Sequence, residues 1–105
     1  MTFLMTKRHS KNHIAIYPNT LEELAERNPD AVILEPRELF NKAYVGYVYS
    51  FDIEGRAVYD VQLIIDMLIK DEGMEEMDAW DHYGYNIEGL GVPHAPMFLY
   101  KEYND

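Results

Sequence analysis

Residues 56–90, RAVYDVQLIIDMLIKDEGMEEMDAWDHYGYNIEGL, decide the fold. Arg56 to Tyr59 suits a pleated backbone and predicts a strand. Asp60 follows where a carboxylate can accept the free N–H groups of a helix start. Val61, Ile64, Ile65 and Leu68 recur at i, i+3, i+4 and i+7, which makes residues 61–70 an amphipathic helix. Leu63, Met67 and Ile69 widen its apolar stripe, so this helix is expected at the centre of the core. Gly73 stands where a helix ends in a left-handed residue. Residues 75–86 predict a second helix. Its apolar side is expected to hold Met77, Trp80, Gly84 and Ile87, with Glu75, Asp78 and Asp81 turned elsewhere.

The same stretch is dense in carboxylates: Asp60, Asp66, Asp71, Glu72, Glu75, Glu76, Asp78, Asp81 and Glu88, with Lys70 the one base among them. Phosphates are anionic, and nucleic-acid readers gain affinity by neutralising them. Two helices joined by a short turn can form a DNA-reading pair, but a second helix this acidic would be repelled. A helical hairpin covering a sheet is the expected arrangement, and its acidic face suits a basic protein surface.

Upstream, residues 43–51 (AYVGYVYSF) read as a strand rich in Val and Tyr. Residues 52–55 make a hairpin loop, with Gly55 placed for positive φ. Gly46 inside the strand suggests a bulge. Residues 13–17 (HIAIY) alternate and read as a short strand before Pro18-Asn19. Thr20 and Glu23 have the spacing of a capping box, opening a helix of about two turns that stops before Pro29. Residues 31–34 (AVIL) are an apolar run, either a buried strand or a helix-flanking segment. Pro36 suits the first turn of a short helix through Asn41. Downstream, Gly89, Gly91, Pro93 and Pro96 stiffen a loop, and residues 97–100 form a last strand.

The chain has 105 residues and no cysteine. One domain is expected, without disulfides or thiolate chemistry. Apolar residues make up 48% of it, which excludes wholesale disorder. No apolar run reaches the ~18 residues of a membrane span. The order of charge and apolar residues at the N-terminus is not that of a secretory signal, so a cytoplasmic protein is expected. Residues 1–13 hold three bases and no acid, so the rest carries −13 against the whole chain's −10. Residues 1–12 are expected as a basic, loose tail and residues 13–105 as one domain.

Candidate chemistry is sparse. Asp78 and His82 are four apart on one helix face, and could offer two ligands to a divalent cation. A third ligand would have to come from a residue distant in sequence, such as His94 or Asp60. A surface ion pair explains the spacing equally well and is the preferred reading. Ser10 and Ser50 have no histidine in a nucleophile motif beside them. Asp60 could be a buried acid–base group, but capping the helix accounts for it. No catalytic, cofactor or metal residue is therefore assigned. Nine tyrosines are a stronger signal. Tyrosine is enriched at protein interfaces. Trp80, Tyr83 and Tyr85, beside Glu75, Glu76, Asp78 and Asp81, form the candidate partner-binding patch.

The segment RAVYD, the apolar helix after it, Gly73-Met74, the acidic helix with Ala79, and Tyr85-Asn86-Ile87 resemble a pattern in small accessory proteins of bacteriophages and prophages. The likeness covers about a third of the chain, residues 56–91, and includes no catalytic signature. It implies a phage-type accessory protein expressed in a bacterial cytoplasm. Acidic phage proteins include anti-CRISPR and anti-restriction inhibitors that mimic nucleic acid, with carboxylates standing where phosphates would. The expected fold is α+β: a small antiparallel sheet with two or three helices packed on one face. The expected function is binding to a host protein with a basic surface. The alternatives are a structural or self-assembling phage protein, and a small metal-dependent enzyme using Asp78 and His82.

Overall fold

A computed structural model describes residues 16–17, 20–49 and 53–101. The expected tail, residues 1–12, and the tip of the hairpin loop lie outside the described residues. Four strands form one sheet in the order β1 (Ile16–Tyr17), β2 (Tyr44–Val48), β3 (Arg56–Asp60) and β4 (Met97–Leu99). The helices are α1 (Leu21–Arg27), α2 (Arg37–Phe40), α3 (Val61–Lys70) and α4 (Glu76–Asn86). The architecture is α+β, as the sequence predicts. β1, β2 and β3 pair antiparallel, while β4 joins β3 in parallel. The sheet is therefore mixed. The connection from Asp60 to Met97, with α3, α4 and the loop after them, returns the chain to the end of the sheet where β3 began, as a parallel pairing requires.

The capping signals act as their chemistry dictates. The Thr20 hydroxyl accepts the Glu23 N–H at 3.2 Å and opens α1. The Asp60 carboxylate accepts the Leu63 N–H at 3.1 Å and opens α3. Gly73 has φ +73° after α3, and the Met74 N–H reaches back to the Leu68 carbonyl at 3.1 Å. The β2–β3 register shifts between Tyr44 and Gly46, which is the bulge expected at that glycine.

The core is one cluster joining Tyr47, Ala57 and Tyr59 of the sheet to Leu24, Phe40 and the α3 stripe Val61, Ile64, Ile65 and Leu68. Two expectations need correction. Leu63 does not widen the stripe but is exposed. Gly55 does not take positive φ. It is small because a Cβ there would lie 3.0 Å from Leu24 Cδ1 and 3.3 Å from Arg27 Cβ. Of the two readings of residues 31–34, the helix-flanking segment holds: they lie between α1 and α2 and form no strand. Their donors find other acceptors: Val32 N–H on the His94 carbonyl and Leu34 N–H on the Tyr59 hydroxyl, each at 3.0 Å.

Candidate functional site: the outer face of α4

Glu76 and Asp78 stand in the first turn of α4, where the helix dipole favours negative charge. Ala79 and Tyr83 are its buried residues, and Ile87 continues them just past the last turn. The spacing i, i+4, i+8 gives this inner stripe. The outer stripe has the same spacing two residues earlier: Met77, Asp81 and Tyr85. Met77 is 77% exposed and Tyr85 is 83% exposed. The expected apolar side is thus corrected. Met77 and Gly84 face solvent, and Trp80 lies at the flank, 38% exposed. Two stripes of equal period compete in this sequence. Ala79, small and fully buried, marks the one facing the core.

Six of the seven residues expected in the partner-binding patch are exposed: Glu75, Glu76, Asp78, Trp80, Asp81 and Tyr85. Tyr83 is not a surface residue, being 2% exposed. It supports the patch from beneath. Its ring meets Trp80 edge-on, with centroids 6.1 Å apart, and Phe98 of β4 at 5.5 Å. Its hydroxyl lies 2.8 Å from that of Tyr100, which in turn donates to Glu88 Oε2 at 2.8 Å. Burial pushes the Tyr83 phenol well above its ordinary value. This chain of hydroxyls fixes Glu88 just beyond the end of α4. Sequence reasoning overlooked Met77 and Glu88 as members of the face. The Ala79-Tyr83-Ile87 spacing was the signal that could have found Met77.

No Lys or Arg lies on α4, and among the described residues no ion pair neutralises its acids. Among the described residues, Met77 and Tyr85 therefore stand beside acids that no ion pair neutralises. Gly84 lies on the same face, and a Cβ there would meet nothing within 4 Å. Behind the helix, an open cleft of about 410 Å³ is lined by Leu34, Phe40, Leu68, His82, Ile87 and Leu90, among others.

The structure does not gather the residues of the metal reading into one site. His82 Nδ1 is paired with Asn86 Nδ2 at 3.2 Å. Asp60 is held by Lys101, and His94 contacts Asn28 and Glu54. Among the described residues no group of three or more His, Asp and Glu could hold a metal ion. Among the same residues, no helix is long and apolar enough to cross a membrane. No protein family, curated protein or solved structure matches the chain at a significant level.

Proposed function

We propose that this protein acts by binding another protein through the outer face of α4, and that the partner presents a basic surface. One observation carries the reading: Glu76, Asp78 and Asp81 stand exposed on one helix with Met77 and Tyr85, and no Lys or Arg lies on that helix. A large apolar side chain left in solvent within a field of one sign suits an interface of two parts. Carboxylates steer the partner's Arg and Lys into place. Met77, Tyr85 and the edge of Trp80 then supply the buried contact. The resemblance to phage accessory proteins narrows the proposal to an inhibitor of a host nucleic-acid-handling or defence complex in a bacterial cytoplasm. There the carboxylates of α4 would occupy positions of nucleic-acid phosphates.

The test is affinity capture from bacterial lysate at low and high salt, read by mass spectrometry. The expected result is one nucleic-acid-handling complex, held at low salt and released at high salt. A triple variant, Glu76→Lys with Asp78→Lys and Asp81→Lys, should lose it. A partner retained undiminished by that variant would sink the proposal.

A further inference from the structure

His94 stands where three segments meet: the end of α1, residues 53–55 leading into β3, and the loop before β4. It is the one non-glycine residue among those described with positive φ, at 62°. Such a conformation is uncommon for a residue with a side chain. The neighbour that defines its chemistry is Asn28, the C-cap of α1, which is 5% exposed.

The Asn28 amide has only one workable orientation. Asp30 N–H donates to Asn28 Oδ1 at 3.1 Å, and Asn28 Nδ2 donates to the Gly55 carbonyl at 2.9 Å. Exchanging O and N would set donor against donor and acceptor against acceptor. Nδ2 has a second hydrogen, and His94 Nδ1 lies 3.1 Å from it. To accept that hydrogen, Nδ1 must be bare, which places the proton of the neutral imidazole on Nε2. Yet Glu54 Oε1 also lies 3.1 Å from the same Nδ1. A carboxylate only accepts, so it requires Nδ1 to be protonated. Two partners make opposite demands on one nitrogen.

We propose that His94 is a proton-operated latch. Neutral, it accepts from Asn28 and ties the end of α1 to the loop before β4. Protonated, it releases the Asn28 amide and donates to Glu54. The Val32 N–H on the His94 carbonyl, at 3.0 Å, is indifferent to ring charge and keeps the loop backbone in place. Only the side-chain contacts exchange. His94 borders an open cleft of about 370 Å³ with Ile53, Glu54, Arg56, Pro93 and Met97. Among the described residues lining it, the charged groups are Glu54 and Arg56, both from the segment entering β3. The end of α1 contributes the uncharged Asn28, residues 31–34 only a backbone N–H, and β4 only Met97. Protonation thus adds one positive charge beside Glu54 and Arg56. The latch is independent of the docking role proposed for α4.

The experiment is NMR of the full chain between about pH 5 and 8, reading the His94 ring nitrogens and the Asn28 side-chain amide. At the alkaline end, Nδ1 should be bare and Nε2 protonated. On acidification, the Asn28 amide signals should move with the same midpoint as His94. In His94→Asn, a replacement that tolerates positive φ, the response at Asn28 should vanish. A neutral ring protonated on Nδ1 would overturn the proposal. So would Asn28 signals that ignore the His94 titration, or that keep their response in the variant.

Discussion

Asp60 is a buried carboxylate with two duties. One oxygen caps α3, and the other lies 2.9 Å from Lys101 Nζ while its side chain is only 4% exposed. Removing one partner of such a pair leaves the other uncompensated. Lys101 is half in solvent, which moderates the loss. Lys101→Met should lower stability by about 1–2 kcal/mol in urea unfolding. Asp60→Asn keeps a capping oxygen and removes the buried charge, so it should cost less. The tyrosines supply a second test. Burial, reinforced by Tyr59 and Tyr47, pushes the Tyr44 phenol from 10.0 up to about 12. Burial likewise raises Tyr59, Tyr83 and Tyr100. The neutral phenols are thus favoured by folding. Their stabilisation is fully present below pH 10 and is lost as pH rises through the raised values, for Tyr44 towards about 12. Phenolate absorbance should rise in two stages, with the later one coinciding with loss of the helical circular dichroism signal. A single stage near the free-tyrosine value, with the fold intact, would contradict the burial described.

Glycines on three elements show what periodicity can and cannot reveal. Gly73 was legible because a left-handed residue after an apolar helix has a sequence signature. Gly55 was legible only as a turn residue. Its actual constraint, the side chains of α1 above it, depends on tertiary packing that no local pattern records. Gly84 has neither reason: it sits inside α4 at an exposed position with open space around it. Gly84→Ala should therefore stabilise the chain by about 0.5–1 kcal/mol, read as a higher melting temperature. If the face of α4 docks closely against a partner, the same variant should bind that partner more weakly despite its greater stability. Unchanged binding would place Gly84 outside the contact. The rotation of α4 was misread for a related reason. Met77-Trp80-Gly84-Ile87 and Ala79-Tyr83-Ile87 are both acceptable helical stripes, and side-chain size favours the first. The space between α4 and the core selects the second, where Ala79 fits.

Across the whole molecule, the α+β class, the β2–β3 hairpin and α3 were legible because each rests on a local rule. The parallel placement of β4 was not. MFLY specifies a strand but no direction, and direction is set by the whole connection from β3 to β4. The charge imbalance, in contrast, was plain from sequence: 19 acids against 9 bases in 105 residues. Its consequence for binding belongs to the whole field rather than to any one pair. Exposed charges act over about 10 Å at 0.1 M salt and about 3 Å at 1 M. If the acids of α4 guide a basic partner, salt should act mainly on encounter. With the captured partner, the association rate should fall about tenfold or more between ~0.05 and ~0.5 M salt, with dissociation changing far less. Tyr85→Ala should do the opposite, hastening dissociation while leaving the salt slope of association in place, because it removes contact area and no charge. An association rate indifferent to salt would mean that the acids are merely solvated, and that the apolar side chains of α4 alone recognise the partner.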